Sequence, residues 1–350
     1  MSGVSQRTKN KSTASAKEIL SMADTRPFLS CSSMMERTAS AHTKKRSEDD
    51  VARAWIQGVI TKSDIFVVEA VYLLSFGTVE SITNMLKFMK EIHPDKLIPA
   101  VNLESVQNRV YELCNQGVLG GTKYIVVDEE GNKKVANIYT CVHNAFRLLK
   151  KQLGYSIYQD DMLLALSDLE VFSRVASSYC ALIAANSVKG TCLDARGYGE
   201  DRTLGKEARI QFYGTCKLRR KDDSILYMVF EPLYHNYDRS LIEERDVIEK
   251  HMHRLKLLYS WVLKAEMEKS GQYVPKVVLV CEDRKGFTRA FAMIQEHIPE
   301  LQPYVYYTTE YIVRSRCKNE PERFFNSIFS LSQDAKGMRI KVADKDELML

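Results

Sequence analysis

Residues 225–239 read ILYMVFEPLYHNYDR, an apolar run that stops on a single acid, Glu231. The run is rich in β-branched and aromatic side chains, which predicts a buried β-strand. Residues 208–218, ARIQFYGTCKL, predict the strand before it, and residues 219–224, RRKDDS, predict the turn between the two. The stretch therefore predicts a β-hairpin whose second strand is buried and ends on a carboxylate.

The rest of the C-terminal half alternates between helices and strands. A long helix is predicted over residues 239–270 and a shorter one over residues 285–298. Residues 275–283, PKVVLVCED, form a near-continuous apolar run that is typical of a central parallel strand. Further strands are predicted at residues 303–309 and, at a late edge, at residues 337–344. This order predicts an α/β domain with a mixed sheet flanked by helices.

The N-terminal half has a different pattern. Apolar residues near helical spacing predict helices over residues 62–77, 78–93 and 102–117. Residues 118–141 then predict a β-hairpin, with the sequence DEEGN at 128–132 as its turn. Three helices followed by a hairpin is the order of a winged helix-turn-helix, in which the third helix reads DNA and the hairpin is the wing.

Candidate DNA-binding side chains follow from that assignment. Asn and Gln pair with adenine and Arg pairs with guanine in the major groove. The outer face of the third helix offers Gln107, Asn108 and Arg109 for this purpose. Lysines in the wing and in the basic helix after it suit phosphates, and these are Lys123, Lys133, Lys134, Lys150 and Lys151. Double-stranded DNA is the predicted partner, and a protein partner for the same domain stays open.

The composition bounds the class of protein. A chain of 350 residues is long enough for two domains. Its eight cysteines occur singly and never as Cys-x-x-Cys, which predicts a reducing, cytoplasmic compartment without disulfides. No apolar run reaches about 18 residues, so no membrane-spanning segment is predicted. The sequence contains no Gly-x-x-x-x-Gly-Lys-Ser/Thr motif, which excludes a P-loop ATPase.

Positive charge is concentrated at the N-terminus. Residues 1–46 carry nine basic and three acidic groups, a net +6 against +5 for the whole chain. This Ser- and Thr-rich segment lacks a periodic apolar face, which predicts disorder. It serves either as a basic arm on DNA phosphates or as a solubilising tail. The predicted division is a tail at 1–50, a winged-helix domain at 55–155, a helical connector at 156–200 and the α/β domain at 201–350.

The C-terminal pattern resembles the core of the PD-(D/E)xK nuclease superfamily. It is similar in particular to the replication-relaxation family of plasmids and conjugative elements, which is related to restriction-enzyme-like mobilisation relaxases. In that family a winged helix precedes the core. The resemblance spans roughly residues 60–310. It is carried by KEARIQF at 206–212, Glu231, NYDRS at 236–240, HRLKLLYSWV at 253–262 and KVVLVCEDRKGFTRAFAMI at 276–294.

The resemblance implies a restriction-endonuclease-like domain with an acidic metal site. Two acids of such a core bind Mg²⁺ through oxygen, which makes Glu207 and Glu231 the implied metal ligands and catalytic residues. A lysine beside them would orient or activate the attacking water. The family places that lysine two residues after the second acid, where this sequence has Leu233. A lysine of the following helix, Lys250 or Lys256, would have to replace it.

These features predict a DNA-binding protein that acts in the replication, relaxation or mobilisation of a mobile genetic element. Other replication or mobilisation proteins are its implied partners, and the nuclease core is expected to be degenerate. Two alternatives stay open. One is a metal-dependent nicking endonuclease or relaxase that uses Glu207, Glu231 and Lys256, for which Mg²⁺ is the cofactor. The other is a winged-helix transcriptional regulator whose C-terminal half forms a homodimer.

Overall fold

The computed structural model describes residues 35–37, 44–96, 98, 101–127, 133–155, 168–188, 190–201, 210–233, 241–268, 272–334, 337–348 and 350. The helices are α1 (Glu48–Ile56), α2 (Lys62–Leu74), α3 (Val79–Ile92), α4 (Leu103–Asn115), α5 (His143–Leu153), α6 (Asp168–Asn186), α7 (Leu241–Glu268), α8 (Arg284–His297) and α9 (Glu310–Cys317). The strands are β1 (Met35–Arg37), β2 (Leu119–Val127), β3 (Lys133–Cys141), β4 (Cys192–Arg196), β5 (Gly199–Asp201), β6 (Ile210–Phe212), β7 (Thr215–Arg219), β8 (Ile225–Leu233), β9 (Tyr273–Cys281), β10 (Val305–Thr309), β11 (Phe329–Asp334) and β12 (Gly337–Val342). Among these residues, no helix combines the length and apolar character that crossing a membrane requires.

The three helices predicted in the N-terminal half are confirmed as α2, α3 and α4, and each begins at a capping residue. Before α2, the backbone N–H of Thr61 donates to the Asp64 carboxylate at 2.6 Å. Before α3 and α4, the side chains of Thr78 and Asn102 accept first-turn backbone N–H groups at 3.2 and 2.8 Å. These caps satisfy donors that a helix leaves without intrahelical partners, so local sequence fixes where each helix starts.

The predicted hairpin is confirmed as β2 and β3, which pair in antiparallel register from Leu119 opposite Cys141 to Val127 opposite Lys133. Strand β1 adds to the outer side of β2, giving the order β1-β2-β3. On the other side of the hairpin, Gly77 and Tyr139 form an antiparallel bridge, with N–H to carbonyl distances of 3.0 and 2.9 Å. The link between α2 and α3 is thereby tied to the hairpin.

A mixed seven-stranded sheet forms the C-terminal half, in the order β12-β11-β10-β9-β8-β7-β4. Strands β8, β9 and β10 run parallel, and the predicted central parallel strand is confirmed as β9. The outer pairings are antiparallel. The predicted late edge strand is β12, which lies at one end of the sheet.

Helices cover both faces of this sheet. Met228 and Phe230 of β8 lie in one core cluster with α6, whereas Val229 and Leu233 lie in another with α7 and α8. The alternation follows from the period of two in a strand. Trp261 of α7 is fully buried in the second cluster and packs edge-on against Phe212, at 5.1 Å between ring centroids.

One prediction on this domain needs correction. The strand predicted at 208–218 is two strands, because β6 pairs with β5 while β7 pairs with β8. The break lies at Gly214, where a Cβ would stand 2.7 Å from the carbonyl oxygen of Ser177 in α6. Helix α6, within the predicted connector, packs between the N-terminal helices and the sheet and shares one core cluster with both. The structure also contains β4, β5, β11 and α9, which the sequence did not predict, and β1 and α1, which begin within the segment predicted as a disordered tail.

Candidate functional site

Glu231 lies near the carboxyl end of β8, as predicted, and pairs in register with Leu279 of the parallel strand β9. It points to the same face as Val229 and Leu233, beneath α7, because side chains two apart in a strand share a face. The residue is only 4% exposed. The acid at the end of the predicted strand is therefore inside the molecule.

Arg254 of α7 holds both oxygens of this carboxylate. Its Nε donates to Oε1 and its Nη2 donates to Oε2, each at 2.8 Å. Nη2 also donates to the backbone carbonyl of Gln211 in β6. A bidentate guanidinium is the strongest pairing that a carboxylate finds among side chains. The fork neutralises the charge on Glu231 that would otherwise attract a divalent cation.

The electrostatics of this pair follow from its burial. Burial raises the pKa of the Glu231 carboxyl, and the charge and hydrogen bonds of Arg254 oppose that rise. Burial by itself lowers the pKa of the Arg254 guanidinium, but Glu231 outweighs it and the pKa ends above its ordinary value. The two-point geometry is that of an ionised pair, which stays together because separation would leave either charge buried alone.

A second arginine, Arg174, contacts an aromatic ring that Arg254 also contacts, that of Tyr213. The guanidinium of Arg174 in α6 is 5.5 Å from the Tyr213 ring centroid, and that of Arg254 is also 5.5 Å from it. Arg174 further contacts the rings of Tyr198 at 5.2 Å and Phe76 at 5.9 Å. Cation–π contacts of this kind hold a desolvated guanidinium in place. The cluster thus joins the link between α2 and α3 to the sheet domain.

The structure does not bring the predicted catalytic lysine to Glu231. Lys256 is exposed, and residues two apart on a helix point to different sides, so Lys256 faces away from the side that carries Arg254. Lys250 is exposed as well, and Leu233 is buried in the core. Glu207 lies outside the described residues. Within the described part of the chain, no three His, Cys, Asp or Glu side chains are grouped to share a metal ion.

Helix α4 presents the two amides that were predicted to read bases. Gln107 and Asn108 are both exposed, whereas Val106 and Val110 on the opposite side are buried. Tyr111 is 46% exposed one turn further along, near the same side of the helix. The exposed face of α4 therefore carries neighbouring amide groups with an aromatic ring.

Arg109 is placed differently from the predicted base-reading role. Its Nε and Nη2 donate to the two carboxylate oxygens of Asp64, and Nη2 also donates to the Val59 carbonyl at 2.7 Å. Asp64 is 2% exposed and simultaneously caps α2. Arg109 is therefore an internal clamp between α4 and the start of α2, because releasing it would leave Asp64 buried without its counter-ion.

The predicted phosphate contacts fall in two places. Lys150 and Lys151 are exposed at the end of α5. Lys123 is partly buried on β2. Lys133 and Lys134 pair through their backbones with the last two residues of β2, close to the hairpin turn, and their side chains lie outside the described residues. Arg147 of α5 is also exposed but forms an ion pair with Glu48.

A charged cluster joins the two halves of the molecule. Arg314 of α9 donates to Glu310 in the same helix and to Glu80 of α3, each at 2.6 Å. Its guanidinium lies 4.1 Å from the Tyr179 ring centroid of α6. Lys318 lies 3.6 Å from the second Glu80 oxygen. Because Glu310 is fully buried and Arg314 largely so, this pairing fixes α3 against the sheet domain.

Sequence reasoning missed Arg254, Arg174 and Arg314. Arg254 stands four residues before Leu258 and seven before Trp261, on the buried side of α7. A charged residue that interrupts an apolar face at helical spacing is a signal that it pairs with a buried acid. Arg174 likewise stands between the apolar residues of α6, but it contacts aromatic rings.

Comparisons with known proteins give partial similarity. The chain is 29% identical over 137 residues to GTPase Era of Borrelia garinii subsp. bavariensis, which covers 38% of this chain and 44% of that protein. It is 27% identical over 125 residues to GTPase Era of Borrelia duttonii, which covers 34% of this chain and 41% of that protein. The chain thus spans less than half the length of the curated relatives it matches. No family model matches the chain, and no solved structure does.

Proposed function

We propose that this chain binds double-stranded DNA through its N-terminal domain, with Gln107 and Asn108 of α4 as the base-reading residues. The observation that carries the proposal is their exposure on the third helix of a three-helix and hairpin arrangement. An amide side chain makes two hydrogen bonds to the major-groove edge of adenine. The bridge between Gly77 and Tyr139 supports a winged helix-turn-helix, because it ties the helices to the hairpin that serves as the wing.

Exposed basic groups of the N-terminal domain support docking on a duplex. Lys150 and Lys151 are exposed on α5, and residues 44–46, Lys-Lys-Arg, are exposed next to the end of α4. The Arg46 side chain donates to the Asn115 carbonyl at 3.4 Å, which places this segment against the end of the reading helix. Neutralising phosphates supplies affinity without sequence preference, whereas the amides supply the preference.

The C-terminal domain is proposed to be a restriction-endonuclease-like core that has lost cleavage. The support is the fork of Arg254 on Glu231, which occupies the carboxylate that a metal ion would need. Lys256 faces away from it. In this proposal the domain acts through its shape, its surface or self-association. The chain then belongs with the replication-relaxation family and acts with replication or mobilisation proteins of a mobile element.

The GTPase activity named for the two partial relatives is not part of the proposal. A P-loop needs the spacing Gly-x-x-x-x-Gly-Lys-Ser/Thr, so that backbone N–H groups surround the phosphates. The sequence contains no such motif, and the similarity covers little more than a third of the chain.

The test begins with selection of duplexes from a random pool by the full-length protein. Fluorescence anisotropy then compares the enriched duplex with a scrambled duplex of the same composition. The protein is expected to prefer the enriched duplex, and the double variant Gln107→Ala/Asn108→Ala is expected to lose about 1–3 kcal/mol of that preference per base contact. Affinity for the scrambled duplex is expected to stay unchanged, because the variant removes no positive charge.

A matched control distinguishes the loss of base recognition from the loss of any exposed amide side chain. Gln295 is an exposed glutamine on α8, in the other half of the molecule, and Gln295→Ala is expected to change neither affinity. Failure to enrich any duplex, together with no duplex binding at low salt, would refute the proposed function. Incubation of supercoiled plasmid with Mg²⁺ or Mn²⁺ tests the second half of the proposal. Nicking that is lost in a Glu231→Gln variant shown to be folded would show that the core still cleaves.

A further inference from the structure

A cavity of about 470 Å³ lies between the N-terminal helices and the edge strand β4 of the large sheet. Its size is that of pockets that hold small molecules. One wall is apolar and comes from α2 and α3, and is formed by Leu73, Phe88, Met89 and Ile92. The opposite side comes from α6 and from β4. The cavity is separate from Glu231 and from the exposed face of α4, because neither lines it.

Glu69 of α2 places a buried carboxylate in the wall of this cavity. The residue is 4% exposed. Its Oε1 accepts a hydrogen bond from the Tyr155 hydroxyl at 2.6 Å, and Lys96 Nζ is 4.0 Å from the same oxygen. Its Oε2 is buried and has no hydrogen-bond partner among the described residues. A buried carboxylate oxygen without a donor is costly, so this atom indicates a place for a ligand donor.

The groups around Glu69 leave that oxygen unmatched. Lys96 approaches only Oε1, and its ammonium also lies over the Phe66 ring, 5.7 Å from the centroid. Burial raises the pKa of Tyr155, and the hydrogen bond to Glu69 raises it further, so the phenol keeps its proton and remains a donor at neutral pH. The tyrosine thus fixes one oxygen of the carboxylate and leaves the other without a hydrogen bond.

The charges that line the cavity favour a cation. Three carboxylates, those of Glu69, Glu91 and Asp194, stand against one guanidinium, that of Arg196. Arg196 is itself engaged, because its Nε lies 3.2 Å from an Asp194 oxygen. Glu91 accepts the backbone N–H of Gly190 at 3.1 Å, which leaves its negative charge in place. The carboxylates that line the cavity therefore outnumber its guanidinium.

We propose that this cavity binds a small organic cation with N–H donors, a protonated primary amine or a guanidinium, whose charged end donates to Glu69 Oε2. An aliphatic body then lies on the apolar wall of α2 and α3. A bare metal ion is disfavoured, because no three ligating side chains in the described part of the chain are grouped for one. An ammonium or guanidinium carries its own N–H donors and needs only carboxylate oxygens to accept them. The cavity wall provides such oxygens.

The experiment is isothermal titration calorimetry of the full-length protein without DNA, with three probes at millimolar concentration. Agmatine supplies an ammonium and a guanidinium, cadaverine supplies ammonium groups alone, and tetramethylammonium carries charge without N–H donors. At least one of the first two is expected to bind at one site, and tetramethylammonium is not. Glu69→Gln keeps an acceptor for Tyr155 but removes the charge, and is expected to weaken binding by about 10- to 100-fold.

The control is Glu104→Gln, which removes an exposed acid of α4 far from the cavity wall and is expected to leave binding unchanged. Circular dichroism establishes that Glu69→Gln is folded. If that variant does not fold, Glu91→Gln takes its place, and binding as tight as that of the wild type then overturns the proposal. It is also overturned if neither amine binds, if tetramethylammonium binds equally well, or if folded Glu69→Gln binds unchanged. These outcomes do not depend on whether the protein binds DNA.

Discussion

Replacing Arg254 by methionine is the most direct test of how Glu231 is used. The substitution keeps an unbranched side chain on α7 but removes both hydrogen bonds to Glu231 and the one to the Gln211 carbonyl. Glu231 is then left in the core with an uncompensated charge. We expect Arg254→Met to destabilise the C-terminal domain strongly, because the carboxylate has no route to solvent.

The size of the effect follows from burial. The Glu231 side chain is 5% exposed and that of Arg254 is 20% exposed, so solvent screens this pair little. Removing one partner of such a pair costs about 3–5 kcal/mol. A domain stability of roughly 5–15 kcal/mol makes this a large fraction of the total. With a urea m-value of about 2 kcal/mol/M, the unfolding midpoint falls by roughly 1.5–2.5 M.

The assay uses the tryptophans of the chain. The sequence has two, Trp55 in α1 and the fully buried Trp261 in α7. In a Trp55→Phe background, fluorescence during urea unfolding reports on the C-terminal core alone. Lys256→Met is the matched control, because it removes a positive charge two residues along the same helix from an exposed position. Its expected effect is within about 0.5 kcal/mol.

A double variant shows whether the cost arises from the unpaired acid. Glu231→Met together with Arg254→Met leaves no buried charge and is expected to recover most of the stability that Arg254→Met loses. A loss of under about 1 kcal/mol for Arg254→Met would refute the reasoning, because it would mean that Glu231 finds water or another partner. No recovery in the double variant would show that packing, and not charge, sets the cost.

Three further outcomes are expected. Arg109→Met should lower the free energy of unfolding by about 2–4 kcal/mol, since Asp64 is left buried without its counter-ion. Because part of the protein then unfolds, the variant should bind every duplex more weakly and keep its base preference. A stable variant with altered base preference would contradict the clamp. Lys150→Ala/Lys151→Ala should reduce the slope of log affinity against log salt by about 1.8 while base preference is kept, and an unchanged slope would contradict phosphate contact. Arg314→Met should lower the free energy of unfolding by about 3–5 kcal/mol and speed amide hydrogen exchange where α3 contacts the sheet domain. Unchanged exchange there would contradict the role of Arg314 in joining the two halves.

Much of the fold was predictable because local signals agreed with each other. Apolar residues recur near helical spacing in each of the three N-terminal helices, so these helices were predicted to within a few residues of their ends. The apolar run in 275–283 marked the central parallel strand for the same reason. Elements whose pattern is short or irregular were missed, as for β4, which has a register shift between Cys192 and Asp194.

The candidate site was less predictable, since its chemistry depends on contacts between distant residues. Nothing local distinguishes Glu231 at an exposed strand end from Glu231 beneath α7, and Arg254 is 23 residues away. Arg109 likewise belongs to the outer face of a helical wheel, but its side chain reaches back to Asp64, 45 residues earlier. Sequence spacing gives the direction of a Cβ, whereas a long side chain chooses its partner in three dimensions.

The central claim is that the amides of α4 read adenine, and one measurement addresses it at the level of single atoms. In the selected duplex, each adenine is replaced in turn by 7-deazaadenine, which lacks the N7 acceptor, and affinities are measured for the wild type and for Gln107→Ala/Asn108→Ala. The wild type is expected to lose about 1–3 kcal/mol at one or two positions, and the double variant is expected to lose nothing further there. Equal losses for the two proteins at every adenine would contradict the claim.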